Sequence, residues 1–410
     1  MAPLRLRANS WIVLFVFGVL QASAATLTQI AITDVTIIDV HDGSAKREMT
    51  VLISGNRITA VGSSKEIPIP KQVRVIDGRG RFLIPGLWDM HVHSDGDEHA
   101  LRMMVDWGIT GARDMGGDLT KLTEARRHIA NQDWTGPRLV IAGPRLMGPP
   151  TEADKDVWIV HSPEEARRAL DSLARQHVDF IKVHDDLARD TYLAIASAAK
   201  ANGLPFVGHV PSSITPAEAS DLGQKSIEHL EFVPKSCLAL FHPHDDAEAS
   251  VPPGCDTESI GTLMQRFVQN GTWLDPTIQS FRYWAPTQWD AIFAGFKKIT
   301  VQIRRAKVHI LTGTDWGISL QEKGSLPGAS LHDELALLAD AGFSSTEVLR
   351  AATLSPALFL GLSDSLGTVE RGMIANLVLL EANPIEDIHH TRGIVAVLLE
   401  GRIIVDRSAR

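Results

Sequence analysis

Two histidines, His91 and His93, end an apolar run that starts at Leu83. Successive side chains of a β-strand point to opposite faces, so residues two positions apart lie on the same face. Two neutral imidazoles arranged in this way suit a divalent transition metal. The pair therefore predicts a metal site at the carboxyl end of a strand, and metal-assisted hydrolysis is the chemistry that such a site can perform.

Four further residues with metal-binding side chains follow predicted strands later in the chain: Lys182, His209, His229 and Asp315. The parallel strands of a barrel bring their carboxyl ends to one face, so we expect these side chains to converge with the first two histidines. The Asp315 carboxylate can bind a metal and accept a proton from bound water, which makes it the candidate catalytic residue. Taken alone, each histidine also fits a structural role, and Asp315 also fits a helix N-cap.

Lys182 is the unusual member of this set. Alternation along residues 179–184 turns Ile181 and Val183 toward the helices and Lys182 toward the barrel interior. A buried ammonium group is costly and would be repelled by a metal. A neutral amine could instead react with carbon dioxide to give a carbamate whose two oxygens bridge two metals. The alternative is a lysine at a strand end whose stem reaches back to solvent.

The elements that must position these residues indicate an α/β fold. Apolar strands alternate with amphipathic helices over residues 85–364, the pattern of parallel βαβ units. Eight such units predict a (β/α)8 TIM barrel with its active site at the carboxyl ends of the strands. The predicted strands are 86–91, 108–113, 138–142, 180–184, 206–209, 226–229, 272–276 and 310–314.

Both ends of the chain have a different pattern, of short β-rich runs separated by turn dipeptides such as Gly55-Asn56 and Glu400-Gly401. We therefore expect a small β-sandwich domain built from both termini. The predicted domain organisation is a β-sandwich part at 25–84, the barrel at 85–364 and the second β-sandwich part at 365–410.

The first 24 residues predict a secretory signal peptide. Arg5 and Arg7 precede the apolar stretch 11–20, and Ala22-Ser23-Ala24 resembles a cleavage site. The alternative is an uncleaved membrane anchor, although the apolar run is short for a span. We expect a secreted or periplasmic protein without membrane contact after cleavage. In that compartment Cys237 and Cys255 could form a disulfide, or both could stay as thiols.

Composition excludes some classes of partner. The chain has 410 residues, 44% hydrophobic and 22% charged, which is typical of a globular protein with a large core. Its net charge of -9 gives no electrostatic argument for nucleic-acid binding. We expect a small-molecule substrate as the main partner, and the sequence is compatible with a homo-oligomer.

These motifs, with Pro85-Gly86-Leu87 before the first barrel strand, resemble the amidohydrolase superfamily in its imidazolonepropionase-like and prolidase-type branch. The resemblance implies that His91, His93 and Asp315 bind one divalent metal and that His209 and His229 bind a second. It also implies that a carboxylated Lys182 bridges both. Zinc is favoured by the ligand types, with manganese or cobalt as alternatives. A metal-activated hydroxide would attack the substrate, and Asp315 would pass its proton to the leaving group.

The function expected from this resemblance is cleavage of an amide bond in a dipeptide or in an N-acyl or aryl-amide amino acid, in the manner of a prolidase or an ochratoxin amidase. An ester, lactone or phosphotriester hydrolase is the alternative, because the same hydroxide attacks other electrophiles. A deaminase or a non-catalytic binding protein fits less well. The candidate substrate contacts are His184, Tyr283 and Arg113, of which Arg113 fits an internal ion pair equally well.

Overall fold

The computed structural model describes residues 29–149, 155–233 and 255–407. The predicted signal peptide and Cys237 lie outside these ranges, so cleavage and the disulfide stay predictions. Among the described residues, no helix combines the length and apolar character needed to cross a bilayer.

One mixed sheet contains strands from both ends of the described chain. They are β1 (Gln29–Ile38), β2 (Ala45–Ser54), β3 (Arg57–Ser63), β4 (Arg74–Asp77), β5 (Phe82–Pro85), β16 (Leu377–Leu380), β17 (Ile394–Leu399) and β18 (Arg402–Asp406). The strand order is β18-β17-β16-β5-β1-β2-β3, with β4 paired to β1. Antiparallel pairing of β16 with β5 joins the two ends of the chain directly before the first strand that leads to the site.

Two all-parallel sheets carry the middle of the chain. Their strands are β6 (Leu87–His93), β7 (Ile109–Asp114), β8 (Arg138–Ile141), β9 (Arg145–Met147), β10 (Val157–Ile159), β11 (Ile181–Val183), β12 (Phe206–Gly208), β13 (Ser226–Glu228), β14 (Trp273–Asp275) and β15 (Trp316–Gly317). One sheet has the order β15-β6-β7-β8 and the other the order β10-β9-β11-β12-β13-β14. Nearly all of these strand residues are buried, as expected for parallel strands covered by helices.

Backbone hydrogen bonds connect the two parallel sheets at both edges. The amide of Asp179, before β11, donates to Ile141 of β8 at 2.9 Å. On the other side, Leu311 donates to Leu274 of β14 and Met90 of β6 donates to Thr312, each at 2.8 Å. Side chains from both sheets also share one apolar cluster, which includes Trp88, Val140, Phe180, Val207 and Leu311.

The predicted strand at 310–314 differs from the observed structure. It appears only as an isolated bridge between Ile310 and Leu274, and regular pairing with β6 begins later, in β15. The Thr314 amide is shared between the His91 backbone oxygen at 3.2 Å and the Asp89 carboxylate at 3.1 Å, and this carboxylate also accepts the Thr314 hydroxyl at 2.7 Å. The side chain of Asp89 therefore competes with regular backbone pairing at this strand.

Helices follow the parallel strands and cover them. They are α1 (Glu98–Asp106), α2 (Leu119–Ala130), α3 (Pro163–Arg175), α4 (Arg189–Asn202), α5 (Pro216–Asp221), α6 (Thr257–Asn270), α7 (Phe281–Trp284), α8 (Trp289–Ala306), α9 (Ile318–Gln321), α10 (Ala329–Asp340), α11 (Ser345–Ala351) and α12 (Leu354–Leu360). Local sequence sets where several of them begin. For example, the Ser162 side chain caps α3, and Thr215 and Glu218 form a capping box at α5.

Candidate metal centre

The four histidines of the sequence prediction lie together at the carboxyl ends of the parallel strands. The ring centroids of His91 and His93 are 5.4 Å apart, and those of His91 and His229 are 4.9 Å apart. His209 lies 4.8 Å from His229. Burial lowers the pKa of His91, His209 and His229, because desolvation penalises the charged ring. Neutral rings are the form that binds metals.

His91 and His93 each use Nδ1 for a protein partner. Nδ1 of His91 lies 3.2 Å from a carboxylate oxygen of Glu228, and Nδ1 of His93 lies 2.9 Å from the backbone oxygen of Gly116. An ionised carboxylate and a carbonyl can only accept hydrogen bonds, so Nδ1 carries the proton in both rings. Nε2 of each ring therefore keeps its lone pair. Such outer partners are the usual means by which metal-binding histidines are oriented.

The second pair of rings also uses Nδ1 for protein partners. Nδ1 of His209 lies 3.2 Å from a carboxylate oxygen of Asp185 and 3.2 Å from one of Glu231. Nδ1 of His229 lies 2.7 Å from the Thr277 hydroxyl. These contacts direct Nε2 of both rings toward the centre of the site, where the two Nε2 atoms are 3.1 Å apart.

The electron-rich atoms of the site face one another without a proton between them. Oδ1 of Asp315 lies 3.3 Å from Nε2 of His91 and 3.4 Å from Nε2 of His93. Nε2 of His91 is buried and has no hydrogen-bond partner in the part of the chain that the structure describes. Two ligands held by one tetrahedral zinc at about 2.0–2.1 Å lie roughly 3.3 Å apart. This donor set and its spacing fit bound cations.

Lys182 of β11 lies inside the fold with 1% of its surface exposed, and its Nζ has no hydrogen-bond partner among the described residues. Burial lowers its pKa to about 8, partly offset by the charges of Glu228 and Asp315. The Lys182 stem passes Gly208 of β12, where a Cβ atom would come within 2.9 Å of the lysine Cδ and 2.1 Å of the Val183 oxygen. A glycine at that position leaves room for the buried lysine.

Backbone conformation turns two of the site residues inward. His229 and Asp315, each in the turn that follows its strand region, have φ angles of 57° and 55°. Such left-handed backbone costs non-glycine residues about 1–3 kcal/mol and is concentrated at functional sites. Gly313 is needed nearby, since a Cβ there would lie 2.4 Å from Cβ of His91 and 2.6 Å from Oδ2 of Asp275.

Buried charged residues lie beneath the histidines and decide between the two roles that the sequence left open for Arg113. Arg113 is completely buried and does not line the cavity over the site in the described chain. Its guanidinium lies 2.9 Å from Glu228 and 3.2 Å from Asp275. Arg113 therefore forms internal ion pairs and cannot reach a substrate carboxylate. Sequence reasoning missed Glu228 and Asp275, although an acidic residue inside a short apolar strand is a detectable signal.

A cavity of about 1210 Å³ opens over the imidazoles and is lined in part by His184, whose ring centroid lies 3.7 Å from that of His209. Two aromatic residues of α7, Phe281 and Trp284, also line it. Tyr283, one of the three candidate substrate contacts, is not among the described lining residues. The reason is helical spacing: Phe281 and Trp284 are three residues apart and share a face of α7, whereas Tyr283 points away from that face.

The indole of Trp284 contacts the candidate catalytic residue. Its Nε1–H donates to Oδ2 of Asp315 at 3.1 Å, while Oδ1 of the same carboxylate faces the histidines. The two oxygens of Asp315 therefore have different neighbours. One faces the ligand atoms of the site, and the other faces the cavity wall.

Comparisons with known proteins agree with this fold. Residues 82–404 match the model of the amidohydrolase family, and the chain belongs to that family. It is accordingly a hydrolase that acts on carbon–nitrogen bonds, which confirms the predicted enzyme class. The family is typically metal-dependent, in keeping with the donor groups gathered here.

Individual relatives are similar over most of their length. Ochratoxinase from Aspergillus niger is 24% identical over 413 aligned positions, which cover 85% of this chain and 80% of that protein. Imidazolonepropionase from Symbiobacterium thermophilum is 24% identical and the match covers 86% of this chain and 89% of that protein.

Solved structures show the shared fold. A Xaa-Pro dipeptidase with bound methionine has a TM-score of 0.74 at 22% identity, covering 92% of this chain and 99% of that one. Phenylurea hydrolase B has a TM-score of 0.74 at 21% identity, covering 93% and 98%. The predicted α/β fold class is confirmed by these likenesses.

Proposed function

We propose that this protein hydrolyses amide bonds with two divalent metal ions. His91, His93 and Asp315 would hold one ion, and His209 and His229 the other. The observation that carries the proposal is the convergence of candidate ligand atoms, with Oδ1 of Asp315 3.3 Å and 3.4 Å from two Nε2 atoms and the other two Nε2 atoms 3.1 Å apart. With Nδ1 of His91 and His93 protonated, the contacts of their Nε2 atoms with the Asp315 carboxylate would be repulsive without a cation.

Lys182 is proposed to be carboxylated and to bridge the two ions. Its buried Nζ has no hydrogen-bond partner in the described chain, and such an isolated polar atom is costly. The neutral amine would attack carbon dioxide, forming an N–C bond and releasing one proton, so that the product carries one negative charge and two new oxygens. The carbamate then supplies an anion where an ammonium group would be repelled.

The bound ions would lower the pKa of a water molecule and polarise the scissile carbonyl. Residues of the chain would transfer the proton and orient the ligands. Asp315 takes the proton of the attacking water and delivers it to the leaving nitrogen. Glu228 and Gly116 fix the rings of His91 and His93, and Trp284 fixes the second oxygen of Asp315. Zinc suits the nitrogen-rich donor set, with manganese or cobalt as alternatives.

The finer architecture belongs to the same proposal. We infer that the two parallel sheets form one closed (β/α)8 barrel over residues 85–364, supported by the hydrogen bonds at both edges. The mixed sheet is proposed to be part of a β-sandwich domain made of residues 25–84 and 365–410. Residues 1–24 are proposed to be a signal peptide that directs the protein to the periplasm or the medium, and cell fractionation with N-terminal sequencing would test this.

The proposed substrates are dipeptides and N-acyl or aryl-amide amino acids. Support comes from similar proteins, which include a Xaa-Pro dipeptidase and an ochratoxinase. The test is to assay the purified protein, with its metal content measured, on a panel of such amides and on an ester analogue of each. We expect amide hydrolysis that a chelator abolishes and added zinc restores. Hydrolysis of the esters with no cleavage of any amide would contradict the proposal.

A further inference from the structure

The cavity over the candidate metal centre has an aromatic wall, formed by Phe281 and Trp284 of α7. Charged residues line the cavity from other elements, in β9 and in the segments that follow β7, β9 and β11. They include Asp118, Lys121, Arg145, Asp156 and Asp185. Several of these charges are already paired, as in the contacts of Lys121 with Asp95 and of Arg145 with Asp156. The two parts of the cavity therefore suit different halves of a substrate.

Trp284 is exposed to an unusual degree for its size. It keeps 50% of its surface accessible, although it lies within the lining of the cavity. The ammonium group of Lys323 lies 4.1 Å from the ring centroid, which leaves the indole held in place rather than free. Phe281, one helical turn earlier, has its ring centroid 6.5 Å from that of His229. An apolar surface is thus presented beside the candidate ligands.

The hydrogen bond between Trp284 and Asp315 determines which half of a substrate the aromatic wall contacts. Its Nε1 lies 3.1 Å from Oδ2 of Asp315. In the proposed function, Asp315 delivers a proton to the leaving nitrogen, so the amine half of the substrate must lie beside Asp315. Trp284 donates a hydrogen bond to the same carboxylate and lines the cavity, so it borders the amine half of the substrate.

We propose that Phe281 and Trp284 form the leaving-group subsite and that it takes an apolar, preferably aromatic, amine. This inference rests on the proposed amide hydrolysis and adds a direction to it. An aromatic amine would cover the exposed part of the indole, and burial of aromatic surface favours binding. The acyl half of the substrate would then lie toward the charged part of the cavity.

Two constitutional isomers test the direction. N-acetyl-L-phenylalanine carries its ring on the leaving amine, whereas N-(3-phenylpropanoyl)glycine carries it on the acyl group. We expect the zinc-loaded protein to prefer the first isomer, and W284A to lower kcat/KM for that isomer by about tenfold or more. The same variant also removes the N–H donor to Asp315, so kcat/KM for the second isomer should fall only as far as it does in W284F. Equal losses on both isomers, or a loss confined to the second, would overturn the proposal.

Two further variants separate packing from hydrogen bonding. W284F keeps an aromatic face and loses the N–H donor, so the preference for the aromatic amine should persist while kcat falls. Y283A removes a ring of the same helix that does not line the cavity, and it should leave the isomer preference unchanged. Metal content and circular dichroism of each variant establish that the site and fold are intact.

A binding measurement keeps the subsite separate from the proposed reaction. L-phenylalanine and 3-phenylpropanoate are the ring-bearing products of the two isomers, and calorimetry on the zinc-loaded protein can measure both. We expect W284A to weaken L-phenylalanine binding about tenfold and to leave 3-phenylpropanoate binding unchanged. If no amide is cleaved, the proposed function fails, and the subsite is then tested by binding alone and fails if W284A does not weaken L-phenylalanine binding selectively.

Discussion

Oε2 of Glu228 lies 3.2 Å from Nδ1 of His91, and both side chains are completely buried. The carboxylate fixes the proton on Nδ1 and so reserves Nε2 of His91 for the centre of the site. Arg113 lies 2.9 Å from the same carboxylate oxygen and balances its charge. The buried ion pair of Glu228 and Arg113 therefore supports the candidate metal centre, and neither residue is among the described residues that line the cavity.

The substitution E228Q tests this support. Glutamine keeps the volume but removes the charge and replaces one carboxylate oxygen with an NH2 donor, so Arg113 keeps one acidic partner and His91 loses its charged acceptor. We expect metal affinity to fall about 10–100-fold, the usual effect of losing an outer partner of a ligand. Competition with a chromogenic chelator measures this change. E124Q alters an exposed glutamate on α2 and serves as the control. Unchanged affinity in E228Q would show that Glu228 does not orient His91.

Replacing Lys182 tests the bridging carbamate. In K182A no amine is available to react with carbon dioxide, so we expect the metal content to fall from two ions per chain to one or fewer. Elemental analysis measures the content. Two ions per chain in K182A would argue against a bridge at this position. In the unmodified protein, labelled bicarbonate should give a carbamate signal in ¹³C NMR spectra that K182A lacks.

A substitution at Gly313 tests how closely residues 310–314 pack against His91. In G313A the new Cβ would lie 2.4 Å from Cβ of His91, so the backbone must move. Overpacking of this kind costs about 1–3 kcal/mol of the free energy of unfolding. Urea titration measures this, and a chelator assay should show weaker metal binding. G261A, in helix α6 with its nearest neighbour at 3.4 Å, is the matched control and should be neutral or slightly stabilising.

His332 of α10 predicts a pH dependence of stability away from the site. Its ring is buried between Trp107 and Thr391, and burial lowers its pKa from 6.5 to about 4. Below pH 6.5 the unfolded chain binds a proton that the folded chain does not bind. This residue therefore stabilises the fold fully above about pH 6.5 and progressively less as pH falls toward 4, by about 3 kcal/mol in total.

Urea titrations at pH 7.5 and pH 4.5 measure the effect of His332. The loss of stability between these values should be smaller in H332Q than in the unmodified protein, because glutamine does not titrate. H389Q changes a largely exposed histidine and should keep the original pH dependence. If H332Q and the unmodified protein lose the same free energy on acidification, the buried ring is not neutral as described.

The part of the site that the sequence predicted depends on local rules. Strand alternation and the position of strand ends are enough to select His91, His93 and Asp315, and the structure places Oδ1 of Asp315 within 3.4 Å of Nε2 of both histidines. The helical spacing of residues 281–284 was available as well, but the face that points to the cavity is decided by packing. For that reason the sequence alone does not separate Tyr283 from Phe281 and Trp284, which line the cavity.

The rest depends on tertiary partners. Arg113 could meet a substrate or an internal acid, and only the positions of Glu228 and Asp275 on other strands decide between them. The irregular eighth strand has a similar cause. The Asp89 carboxylate shares the Thr314 amide with the His91 backbone oxygen, and no local sequence pattern predicts a side chain that competes with a backbone partner.

The most direct test is a crystal structure of the purified protein with anomalous diffraction data collected at the absorption edge of the metal found by elemental analysis. We predict two anomalous peaks, one between Asp315 and the rings of His91 and His93, and one between the rings of His209 and His229, with density for a carboxylated Lys182 joining them. A fully loaded crystal with no peak among these four imidazoles would contradict the account.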